Sequence, residues 1–173
     1  MRDGRAVPAL LEAMKDESSR VRATAARSLG RLGDPKVSEA LIEALKDEEV
    51  QVRLYASESL GDLGVANAIE PLKELLKDQD ARTRCATASA LGKLGDNSGL
   101  DGALKEIENE DIRIRTEAIR ALGYIGETTE PVVDGLKKAI NDENISVRRV
   151  AEMVADQLRI EIKAKEEEKT ESE

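Results

Sequence analysis

The sequence predicts an all-α solenoid of five helix pairs stacked side by side, each pair one copy of a 31-residue unit. Three observations carry that prediction. The pentapeptide Leu-Gly-x-Leu-Gly stands at Leu29–Gly33, Leu60–Gly64 and Leu91–Gly95 and, with Ile125 in its fourth place, at Leu122–Gly126, always 31 residues on. Between these marks the apolar residues step by three and four, which is the spacing of one helical face. The chain of 173 residues is 40% hydrophobic and 36% charged but only 1% aromatic, with Tyr55 and Tyr124 as the whole aromatic supply. Any core must therefore be aliphatic.

The unit is plainest in residues 34–64. In the same register, 3–33, 65–95 and 96–126 are three more copies, and 129–159 is a fifth after the insertion of Glu127 and Thr128. In the second copy Leu41 and Leu45 mark a first helix, and Val52, Ala56, Leu60 and Leu63 mark a second. Pro35, Pro71 and Pro131 fall in first turns, where a missing N–H is tolerated. Asp47 is expected to N-cap the second helix, and Gly61 with Gly64 to end it.

One helix pair cannot bury its apolar stripes, so the copies must stack. Leu10, Leu41, Leu72 and Leu136 form one expected core column, and Leu32, Leu63, Leu94, Ile125 and Leu158 another. Ala25, Ala56, Ala118 and Ala151 keep a third column small, which lets helices approach closely. Residues 1–160 are expected to be a single solenoid domain. In the fifth copy Asp156 and Arg159 stand where the others have glycine, so its second helix is expected to run on through Ile160 toward Ile162 as a C-terminal cap. Residues 161–173, with three lysines and six glutamates, read as a disordered tail. The first copy has no polar unit ahead of Leu10, Leu11 and Met14, which makes the N-terminal repeat a candidate surface for self-association.

Composition also narrows the chemistry. With no histidine and a single cysteine, Cys85, the chain cannot build a His/Cys zinc site, a Ser-His-Asp triad, a Cys-His pair or an internal disulfide. No metal or cofactor is expected. There is no apolar run near the roughly 18 residues of a membrane span and no signal-peptide core, so the expected location is cytoplasmic, away from membranes.

A proline-led first helix, an Asp-x4-Val-Arg element and then Ala-x3-Leu-Gly-x-Leu-Gly together resemble the HEAT repeats, most closely their short phycocyanobilin-lyase-type subclass. The resemblance covers residues 3–159. Its Asp/Arg element stands as Asp16 and Arg22, Asp47 and Arg53, Asp78 and Arg84, Asn109 and Arg115, and Asp142 and Arg148. The resemblance implies a right-handed α-α superhelix in which these side chains form a structural ladder between neighbouring repeats. A series present in every unit suits a ladder better than a catalytic site, which occurs once.

The resemblance also implies that the second helices line the concave surface. Arg20, Thr24, Arg27 and Arg31 form a stripe whose direction is about 130° from the apolar stripe of Val21, Ala25, Leu29 and Leu32. The equivalent residues are Gln51, Tyr55, Glu58 and Asp62, then Arg82, Ala86, Ser89 and Lys93, then Arg113, Glu117, Arg120 and Tyr124. These 16 positions hold seven basic and three acidic residues, a balance of +4 in a chain whose net charge is -9. Arg20, Arg27, Arg31, Tyr55, Arg82, Lys93, Arg113, Arg120 and Tyr124 are thus candidate contacts for an acidic protein or peptide.

The expected function is a non-catalytic protein-binding scaffold or adaptor. The alternative is an accessory protein or subunit of a bilin lyase, although two tyrosines make a poor aromatic cleft for an open-chain tetrapyrrole. A di-iron hydroxylase of similar architecture needs His-Glu ligand pairs, which this chain lacks. Nucleic acid is not an expected partner, because a chain at net -9 repels a polyanion at long range. Cys85 has no histidine to activate it and reads as a small apolar side chain.

Overall fold

The computed structural model describes residues 4–162, and among them every regular element is helical. The first helices of the five units are α1 (Val7–Ala13), α3 (Ser38–Ala44), α5 (Ile69–Leu75), α7 (Leu100–Glu106) and α9 (Glu130–Ala139). The second helices are α2 (Ser19–Leu32), α4 (Val50–Leu63), α6 (Ala81–Lys93), α8 (Ile112–Ile125) and α10 (Ile145–Gln157). Second helices run 13 or 14 residues, whereas four of the five first helices have only seven. The second helices pack successively on one another, and the short first helices form an outer layer against them.

Leu41, Leu72 and Leu136 are fully buried, as are Val52 and Val147 at the start of the second helices. The same column positions in the first repeat are more open: Leu10 is half-buried and Val21 is 39% exposed, since no helix pair among the described residues packs on that side. Ala25, Ala56, Ala118 and Ala151 are buried on the second helices.

The two glycines of each Leu-Gly-x-Leu-Gly segment have different jobs. Only the second ends the helix: Gly33, Gly64, Gly95 and Gly126 take φ of 70, 68, 79 and 76°, the left-handed region that glycine enters without strain. The first lies inside the helix, where its missing Cβ lets the next repeat come close. A Cβ on Gly30 would sit 2.3 Å from Ser59 Oγ, and one on Gly92 would sit 2.7 Å from the backbone of Tyr124 and Ile125.

In the fifth repeat the chain departs from the expected helical extension. Helix α10 stops at Gln157, and Arg159 enters the left-handed region at φ 57° although it carries a Cβ. Its N–H donates to the Asp156 carbonyl at 3.0 Å and that of Ile160 to the Ala155 carbonyl at 2.9 Å, which closes the same helix-ending turn that glycine closes elsewhere. The reversal brings Ile160 and Ile162 onto the last apolar cluster, and that burial offsets the strain. The tail beyond, residues 163–173, lies outside the described residues.

Candidate functional site

The loop between the two helices of each repeat is built around the Asp/Arg element. Asp47 does not cap α4, whose N-cap is Glu49; instead its Oδ1 accepts the Glu49 N–H at 2.9 Å and folds the loop two residues ahead of the helix. Asp16, Asp78, Asn109 and Asp142 accept from Ser18, Asp80, Asp111 and Asn144 in the same way, at 2.8 to 2.9 Å. Each arginine then uses its guanidinium as a fork. Its Nη1 donates to two carbonyls of its own loop, Asp47 and Glu48 for Arg53, both at 2.8 Å. The remaining edge reaches the next repeat: Arg22 meets Asp47 at 2.8 and 2.9 Å, Arg53 meets Asp78 at 2.6 and 3.1 Å, and Arg115 meets Asp142 at 2.9 and 3.0 Å. Arg148 keeps its loop bonds at 2.7 and 3.0 Å, and no carboxylate among the described residues meets its other edge.

One rung is built differently. Arg84 does not pair with Asn109, which is neutral; it pairs through Nε and Nη2 with Glu106, at the end of α7. Asn109 Nδ2 donates to the other Glu106 oxygen at 2.7 Å and holds the carboxylate in place. Glu106 stands where the other repeats have Ala13, Ala44, Leu75 and Ala139, so the charge has moved one turn back along the chain.

These pairs set a pH dependence. The Arg22 hydrogen bond holds Asp47 below the usual carboxylate range. Burial alone would raise Glu106, but the bonds from Arg84 and Asn109 outweigh it and hold that carboxyl low as well. Unfolded Asp and Glu titrate near about 3.9 and 4.3, so both groups bind protons more readily when unfolded. Their stabilisation is complete above about pH 5 and is lost as pH falls through the lower folded values. Thermal melts should therefore hold steady from pH 7 to about 5 and drop below about pH 4.

On the opposite side of the second helices lies the charged stripe. Arg20, Arg27, Arg31, Gln51, Glu58, Asp62, Arg82, Arg113, Glu117 and Tyr124 are exposed, Tyr55, Ser89 and Arg120 are half-buried, and Ala86 is buried. Neighbouring repeats meet across it in cation–π contacts: the Arg27 guanidinium lies 5.2 Å from the Tyr55 ring centre and Lys93 Nζ 4.6 Å from that of Tyr124. Three of the seven cations are neutralised in place, Lys93 by Asp62 at 2.7 Å, Arg82 by Asp80 at 2.9 Å, and Arg120 by Glu117. Arg20, Arg27, Arg31 and Arg113 have no carboxylate partner among the described residues. Glu58 remains open to solvent, yet the surrounding protein desolvates it and pushes its carboxyl above the usual value, with Glu117 adding to the rise and Arg27 and Lys93 opposing it.

The sequence-derived stripe ended at the fourth repeat. Carrying the register across Glu127 and Thr128 adds Ser146, Val150, Met153 and Gln157 of α10, none of them charged. That register shift was the available signal. Cys85 is 1% exposed, and burial pushes its thiol up to about 12, with Glu106 adding to the effect, so the group is an inert part of the core. Among the described residues no cluster of His, Cys, Asp or Glu is arranged to hold a metal ion. No described helix is long and apolar enough to cross a membrane.

Family models for HEAT repeats match residues 1–53 and 38–106, and the model for the PBS lyase HEAT-like repeat matches residues 114–142. No curated protein matches the chain. Among solved structures, the complex of CpcE and CpcF of phycocyanin lyase from Nostoc sp. PCC7120 is similar at 23% identity and a TM-score of 0.72, over 90% of this chain and 65% of that one. YibA of E. coli is similar at 21% identity and a TM-score of 0.66, over 88% of this chain and 59% of that one. A designed armadillo repeat protein in complex with the peptide (KR)4 is similar at 18% identity and a TM-score of 0.62, over 89% of this chain and 82% of that one. The chain thus spans less than two thirds of the length of the two natural relatives. At these identities the likeness is one of fold.

Proposed function

Because the chain belongs to the HEAT-repeat family, whose stacked second helices offer one long concave surface, we propose that it is a non-catalytic scaffold or adaptor that binds an acidic protein or peptide segment along that surface. One observation carries the reading. In a chain of net charge -9, Arg20, Arg27 and Arg31 gather on the exposed face of a single helix with no carboxylate neutralising them among the described residues. Arginines without carboxylate partners, beside the half-buried Tyr55, suit a carboxylate-bearing segment, because arginine binds carboxylates through two parallel bonds and tyrosine adds rigid contact area. The designed armadillo protein of similar fold holds the basic peptide (KR)4, whereas the charge of this surface calls for the opposite sign. The setting we propose is the cytoplasm.

A bilin-lyase role would rest on the fold likeness to the phycocyanin lyase complex and on the matching repeat in residues 114–142. Both tyrosines of the surface are already faced by cations, so they do not form the aromatic wall a tetrapyrrole prefers.

The test is fluorescence anisotropy with a labelled peptide of alternating Asp and Glu. Reversing two charges, Arg27→Glu with Arg31→Glu, should weaken binding at least about tenfold, and added salt should weaken the wild-type complex. Both side chains are exposed, so folding is preserved. Equal affinity of variant and wild type would remove the concave surface from consideration.

A further inference from the structure

The surface is not uniform along its length, and that polarity specifies the ligand further. In the first repeat it carries Arg20, Arg27 and Arg31, all exposed and without carboxylate partners among the described residues. In the second to fourth repeats most charge is neutralised internally, by the Lys93–Asp62 and Arg120–Glu117 pairs, with Arg82 held by Asp80. In the fifth repeat none of the four stripe positions, Ser146, Val150, Met153 and Gln157, is charged. Val150 is half-buried, and Met153 is 53% exposed in the column that Arg27 begins in the first repeat. A large apolar side chain left this open invites contact, and the flexible, polarisable thioether adapts to differently shaped apolar groups.

We infer that the concave surface binds an extended segment of another protein that is bipartite: carboxylates at one end dock on the first repeat, and an apolar side chain at the other docks on Met153 and Val150. The inference rests on the binding surface proposed above and adds a second anchor and a spacing to it. Four steps between adjacent second helices at about 9 Å each span about 36 Å. An extended chain covers that distance in about 11 residues at roughly 3.3 Å per residue. The central repeats, with most of their charges paired and with Glu58 and Arg113, unpaired among the described residues, of opposite sign, constrain the intervening residues of the ligand little.

Three labelled peptides of equal length test this by anisotropy. One has a block of aspartates alone, one the block with a leucine pair directly beside it, and one the block with the leucine pair about 11 residues away. The separated peptide should bind about tenfold more tightly than the block alone, the adjacent peptide no more tightly than the block. Met153→Asp should abolish that tenfold advantage and leave the affinity for the aspartate block unchanged, whereas Met153→Leu should keep it. If the adjacent and separated peptides bind alike, or if Met153→Asp leaves the advantage intact, the second anchor is refuted while the acidic-segment reading stands. If none of the peptides binds, that reading falls and the inference falls with it.

Discussion

Replacing Glu106 by alanine is expected to cost about 3 kcal/mol of folding stability, and adding Asn109→Asp in the same chain to recover most of it. The loss is large because Glu106 is 4% exposed and is the sole carboxylate paired with Arg84 among the described residues. Without it the guanidinium stays fixed by its bonds to the carbonyls of Asp78 and Gln79, its charge uncompensated between two repeats. The recovery follows from the other rungs, where the carboxylate comes from the loop position that Asn109 occupies here. An aspartate there meets the same arginine edge. Urea denaturation of the wild type, the single variant and the double variant decides the matter. A single variant that loses less than about 1 kcal/mol would show that this junction does not depend on the pair.

The second large effect separates two glycines three residues apart. Gly92→Ala should cost about 3 kcal/mol, because the new methyl group would meet backbone atoms of Tyr124 and Ile125 at 2.7 Å and the two helices would have to move apart. Gly95→Ala should cost about 1 kcal/mol, since nothing lies within 4 Å of its added Cβ and the penalty is only that of an L-residue at φ +79°. The same chemical change therefore acts through packing at one position and through backbone conformation at the other. Equal losses in urea denaturation would contradict this division.

The repeat was legible because each copy restates it: the recurring Leu-Gly-x-Leu-Gly and the apolar steps of three and four mark the same ten helices that the structure contains among its described residues. What escaped the sequence was anything decided by a neighbour in space. Glu106 could not be tied to Arg84 by register, because its carboxylate lies three residues before the position that the period indicates. The end of α10 was missed because Arg159 accepts a backbone shape that propensity assigns to glycine, and only the burial of Ile160 and Ile162 offsets that strain. Membership of the charged stripe follows from 100° per residue. Which of its cations stay unpaired does not, since Asp62 reaches Lys93 from the preceding repeat.

The close approach of the second helices also bears on how such an array grows. Each added helix pair settles on an uncharged, close-packed face, much as a molecule joins a crystal step: Ala26, Ser57, Ala88 and the larger Ile119 are buried there beside Gly30, Gly61, Gly92 and Gly123. At the corresponding positions of the fifth repeat stand Glu152 and Asp156, both exposed. Seating another pair at the same separation would strip water from two carboxylates and drive the Asp156 side chain into its neighbour's backbone. That face would accept a further pair less readily than the faces buried between the five repeats. The first repeat, with Asp16 held by the Ser18 N–H at 2.8 Å and Val21 39% exposed, still has the form of a growing step. Two acidic side chains thus set the cost of a head-to-tail contact between copies at the fifth-repeat face.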